Sequence, residues 1–353
     1  MSESNLLPRS LLTATAVLAV AGLYGGLVRI GVPLPYARAP AELHGLIMMQ
    51  GVFGTLVPLE RAVALRTPIW FASPILSILA TAALLAGLPA IGALIAYAIA
   101  AAVFCCMSAH VVRLQPAPFT VVLLLGAACL LIASIQTVLA NGAIASSIPW
   151  CLAYLVLTVS GERLELSRLL GHGPATVAAF FGAAFVLLVG CSIGLDSAWG
   201  ARCVGLGLLL LSVWLWRYDI ALRIAGTRGQ ARFMAVAILC GHAWLGVAGL
   251  LALGMPDNVA SPDALIHAIT IGFTLSMVMG HALVILPAVA GVRISYSPFL
   301  FAPLAILQAA VCYRVLADSF FMDWRWASGL MTVLALAAFA ILVVAPPKPS
   351  LGG

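Results

Sequence analysis

The sequence predicts an all-α, polytopic membrane bundle of about twelve transmembrane helices, a single transmembrane domain over residues 1–353 with both termini cytoplasmic. Three observations predict it. Hydrophobic residues make up 64% of the chain and charged residues 8%, where a soluble domain carries about a quarter charged residues, and mean hydropathy is +1.16. The apolar residues come in long continuous runs, which in lipid selects helices over a barrel of alternating strands. The basic residues divide unevenly between two sets of ends and loops, twelve of 17 on one set and five on the other. The positive-inside rule places the richer set, and with it both termini, in the cytoplasm.

A crossing needs about 20 apolar residues. The runs place spans at approximately 11–31, 42–65, 69–88, 90–112, 117–140, 147–169, 174–194, 198–222, 231–254, 263–290, 297–316 and 326–345. The first follows "MSESNLLPRS", which has one Arg and lacks the basic region of a cleaved signal, so it reads as a retained span. Pro and Gly punctuate several boundaries, as in "GLPAIG", "LQPAP" and "GHGPA". Spans three and four are divided only by Gly87–Leu88–Pro89. Pro58 and Pro287 fall late in spans two and ten and predict kinks there.

The net charge of +6 is scattered between apolar runs, so it reads as a topology signal rather than a nucleic-acid surface. The eight cysteines form no C-x-x-C or C-x-x-C-H, which excludes zinc ribbons, thioredoxin-like chemistry and covalently attached haem. No phosphate-binding G-x-x-x-x-G-K-[ST] or hydrolase G-x-S-x-G occurs.

The histidines carry the chemistry. His44, in "AELHGLIMMQGVFG", and His267, in "PDALIHAITIGF", lie a few residues into spans two and ten, at matched shallow depth near the outer face. His242 falls near the midplane of span nine. His281 is fourteen residues past His267, about 21 Å deeper and about 40° around an α-helix. His110 and His172 fall near cytoplasmic ends, where water solvates them. A histidine inside a membrane is a functional candidate or a hydrogen-bonding strut between helices. Two neutral imidazoles on co-directional helices suit a metal and, with an apolar slot between them, haem b. Gly45, Gly51, Gly54, Ala268 and Gly272 would admit a flat macrocycle or, equally, close helix packing. Arg38, Arg314 and Arg325 are the outer-face cations that would meet haem propionates or serve as interfacial anchors. Met48, Met49, Met277 and Met279 offer thioethers to copper or simply pack. Glu60–Arg61 and Glu162–Arg163, with Glu165, are placed to pair across the cytoplasmic end or to form a gate.

Twelve spans with a histidine early in both span two and span ten resemble the largest subunit of haem-copper oxidases, whose corresponding helices supply the axial ligands of a low-spin haem. The run "HAITIGF…SM" is similar to the NnrS family, twelve-span haem- and copper-associated proteins linked to nitric-oxide stress. The resemblance implies a haem b held by His44 and His267, with copper as a second candidate metal. It departs where a binuclear centre would be: residue 269 is Ile, and spans six and seven contain no histidine. A complete oxidase is therefore not expected. The implied function is electron transfer, or a response to nitric oxide or another small gas, in the cell (inner) membrane, with an electron donor or gas as partner. His242 and His281 are left as a candidate second metal site. The alternative is a secondary transporter or channel for a small solute or metal ion, with those two histidines lining the path.

Overall fold

The computed structural model describes residues 6–171, 173–257, 261–291, 294–320 and 322–344. Among them there are twelve long helices and no strand. They are α1 (Leu6–Arg29), α2 (Arg38–Leu65), α3 (Pro68–Leu85), α4 (Ala90–Leu114), α5 (Pro118–Leu139), α6 (Ile148–Ser167), α7 (Pro174–Ile193), α8 (Ala198–Tyr218), α9 (Gly229–Asp257), α10 (Pro262–Ala290), α11 (Pro298–Asp318) and α12 (Met322–Val344). Eleven are long and apolar enough to cross a membrane. The exception, α6, carries Glu162, Arg163 and Glu165 in its last turns. The helices suit a lipid bilayer: large apolar side chains such as Val20, Leu139 and Phe185 stand exposed on outward faces, where water would penalise them. Arg293 and Lys348, counted in the charge asymmetry, lie outside the described residues, as does His172.

Local chemistry fixes the boundaries. Pro68, Pro118, Pro149, Pro174, Pro262 and Pro298 occupy the first or second helical position, where their missing N–H costs nothing. Gly87, at φ +73°, turns the chain between α3 and α4, so those two spans are separate helices. The first span is already helical at Leu6, the first described residue, and Arg9 Nε donates to the Ala290 carbonyl (2.5 Å), tying this part of α1 to the end of α10.

Sequential helices pack pairwise, most extensively α7 on α8, α5 on α6 and α8 on α9, and α12 returns to α1. Close approach depends on small residues: a Cβ at Gly207 would lie 2.6 Å from the Leu187 backbone nitrogen, so α8 and α7 meet backbone to backbone. The most enclosed helices are α2 and α6, followed by α5, α8 and α10.

Two of these central helices are not α-helical throughout. Immediately after the histidine turns, Ile47–Phe53 in α2 and Ala268–Leu275 in α10 wind as π-helix. The wider i→i+5 turn loosens the regular ladder and is often found at functional sites. Buried carbonyls there need partners. Tyr154 Oη donates to the Phe53 carbonyl (2.8 Å), Thr55 Oγ1 to Gly51 (2.5 Å) and Ser77 Oγ to Gly54 (3.2 Å). The π segment also corrects one expectation. A residue in a π turn advances less around the axis than one in an α turn, so the small offset between His267 and His281 does not hold. His267 turns towards Arg314 of α11, whereas His281 turns towards Arg163 of α6.

Candidate functional site

At the end of the bundle where α2 and α10 begin, His44 and His267 are held in the same way. His44 Nδ1 donates to the Gly22 carbonyl of α1 at 2.7 Å, and its ring lies against Gly26, where a Cβ would come within 2.8 Å of Cε1. His267 Nδ1 donates to the Asp263 carbonyl at 2.8 Å, with Asp263 Oδ1 at 3.7 Å. A neutral imidazole has one N–H, so committing it at Nδ1 leaves the Nε2 lone pair as the donor atom. This is how metal-ligating histidines are commonly oriented. The two rings lie within electrostatic range of each other, and both sense Arg314 and Asp263.

Around His267 the charges are already matched. Arg314 bridges Asp263 and Asp318, reaching Asp318 Oδ2 at 2.8 Å, and Arg325 lies 3.9 Å from Asp318 Oδ1. Asp263, His267 and Asp318 each offer a ligand atom within 4.8 Å of the others, a spacing that could hold a metal ion. Arg314 competes with an ion for both carboxylates, so the imidazole pair is the stronger donor set. Arg38 is elsewhere, on the surface, paired with Glu42 at 2.9 Å with both side chains more than half exposed. Such a pair contributes about 0–1 kcal/mol.

Two imidazoles anchored at Nδ1 are of the donor type that iron or copper takes. The glycines serve packing instead: a Cβ at Gly45 would strike Ile144, at Gly51 Thr81 and at Gly272 the Trp244 ring. Met277 and Met279 are buried in the core.

Deeper, a second polar constellation joins four helices. Arg163 of α6 lies 3.4 Å from Asp219, which follows α8, and both side chains are buried. Asp219 Oδ2 lies 3.5 Å from His242 Nε2 of α9. Arg163 Nη1 donates to His281 Nε2 of α10 at 3.3 Å. His242 and His281 are thus linked through Arg163 and Asp219, and the guanidinium occupies the His281 lone pair that a metal would need. Arg163 Nε, Asp219 Oδ2 and both His242 nitrogens are buried without an aligned hydrogen bond. The sequence placed Glu162–Arg163 near the cytoplasmic end of its span, with no partner on α8 or α9. The signal that marks Arg163 and Asp219 is charge inside α6 together with a buried histidine on α9. His110 packs against Trp70 with the rings tilted by 35° and their centroids 5.6 Å apart.

The Glu–Arg dipeptides do not pair across the bundle as expected. Arg61 Nη1 donates to Ser108 Oγ (3.1 Å) and its guanidinium sits 5.1 Å above the Phe104 ring, while Arg163 takes Asp219. Glu165 pairs locally with Arg168 at 3.3 Å. Glu60, Glu162 and His281 instead line a cavity of about 330 Å³ between α1, α2, α6, α10 and α12, walled mostly by aliphatic side chains. The outer imidazoles do not line it.

No curated protein matches the chain. A family model described as a domain of unknown function, DUF8744, matches residues 8–346, nearly the whole bundle with both polar constellations inside it, and the chain belongs to that family.

Proposed function

We propose that this protein is an inner-membrane haem b protein, with both termini in the cytoplasm, that transfers electrons or responds to nitric oxide or a similar small gas. One observation carries the reading: His44 and His267 have their Nδ1 atoms fixed on backbone carbonyls, their Nε2 atoms left for a metal, and a π-helical segment following directly in each helix. The Gly22 and Asp263 carbonyls orient the two rings and raise the basicity of the remaining nitrogens. Arg314 and Arg325 are matched by Asp263 and Asp318, so haem propionates would have to share those two cations. Bound haem would supply reversible one-electron chemistry, its potential set by axial ligands and burial. Were His44 and His267 both to hold the iron, no position would be open to a gas, so electron transfer is favoured over gas binding.

The test is the absorbance spectrum of the detergent-solubilised chain from cells with ample haem. A Soret band is expected, lost in His44→Ala and in His267→Ala and kept in Arg38→Ala. A colourless but folded preparation overturns the reading.

A second reading, a transporter or channel for a small solute or ion, is favoured by the cavity carrying His281. Saturable uptake into proteoliposomes by a preparation free of chromophore would support it instead.

A further inference from the structure

We infer that the cavity at the end of the bundle where α2, α6 and α10 finish is a binding site for a small amphiphilic ammonium ion, with Glu60 and Glu162 as its counter-ions. Among the described residues neither carboxylate makes a hydrogen bond or salt bridge, although both line the cavity. Neither neighbouring arginine makes an ion pair with them: Arg61 bonds Ser108 and lies over Phe104, sensing both glutamates only through space, and Arg163 is held by Asp219 and His281. With the imidazoles neutral and all three carboxylates ionised, Glu60, Glu162 and Asp219 carry one more charge than Arg61 and Arg163. Without a ligand the crowded, buried glutamates hold a proton between them, which an incoming ammonium ion displaces. A charge held away from water needs a partner, and here the cavity is the space from which one can come.

The walls decide the class of cation. A hard cation such as Ca²⁺ or Mg²⁺ takes about six or more oxygen ligands, and this lining offers two carboxylates amid aliphatic side chains. The one imidazole present accepts from Arg163. An organic ammonium brings its own apolar body for those walls, and the face of Phe53 or Phe339 suits a cation. Thr274 Oγ1, on the cavity wall, is buried without a hydrogen-bond partner and can accept from the same head group. A volume of about 330 Å³ fits a ligand of roughly a ring and a short chain, at the lower end of ligand pockets, about 300–1,000 Å³.

This inference shares its cavity with the transporter reading and names that reading's substrate class, but binding needs no passage across the membrane. It is independent of the outer imidazole pair.

The test uses the full chain in nanodiscs, with 3-phenylpropylamine as probe, its neutral analogue 3-phenylpropan-1-ol, and empty nanodiscs as the control for lipid partitioning. Saturable amine binding is expected at one site per chain, with the alcohol weaker by at least about tenfold. The Glu60→Gln/Glu162→Gln variant should lose that preference while still binding the alcohol. A second variant, Ala19→Phe, fills the cavity from the peripheral helix α1, keeps both carboxylates and should abolish binding of both probes. Equal affinity for amine and alcohol, amine binding unchanged in either variant, or no saturable binding above empty nanodiscs overturns the site. Proteoliposome uptake of either probe, measured in parallel, reports on transport separately: binding without uptake leaves the site standing and removes the transporter.

Discussion

Replacing Asp219 by Asn removes one charge from the most enclosed ion pair in the bundle and little else. The Asn carbonyl can still accept from the Ala221 amide, which Asp219 Oδ1 meets at 2.8 Å. Arg163, with 2% of its side chain exposed, is then left without its counter-ion. Opposite unit charges 3.4 Å apart attract by about 5 kcal/mol at an effective dielectric constant of about 20. Breaking a buried pair on one side costs about 3–5 kcal/mol, because the survivor stays desolvated. The Asp219→Asn protein should lose stability in that range, read as the denaturant midpoint in mixed micelles. Adding Arg163→Met removes the stranded cation, so the double variant should recover a large part of the loss. If the single variant unfolds within about 0.5 kcal/mol of the parent, or the double variant is less stable than the single, the pair is not the electrostatic unit described here.

Three further outcomes follow from the same geometry. Arg314→Gln should destabilise the outer end by about 3 kcal/mol or more, since it leaves Asp263 and the buried Asp318 together without their shared cation; Asp318→Asn in that background should restore part of it in the same denaturation assay. Arg38→Ala should change stability by less than about 0.5 kcal/mol, because its pair with Glu42 is solvated on both sides. Gly207→Val should cost about 1–3 kcal/mol in thermal unfolding, as the new side chain would press on the Leu187 backbone; a neutral result would mean that α7 and α8 are not in backbone contact.

What the sequence determined by itself was the number, kind and approximate limits of the helices. In lipid, backbone hydrogen bonding and the length of each apolar run leave few alternatives, so "GLPAIG" sufficed to part α3 from α4. It also pointed to His44 and His267, because an imidazole in an apolar run is conspicuous without coordinates. It could not supply the partners. Which carbonyl receives each Nδ1, and that Arg163 turns to Asp219 and His281 rather than to Glu60 across the bundle, depends on helix rotation. Rotation in turn depends on the π segments, whose slower advance around the axis is not encoded in apolar periodicity. Only the tertiary structure therefore decided that two glutamates would face a cavity without a salt bridge, because an apolar run fixes where a helix crosses and its neighbours fix which way each side chain points.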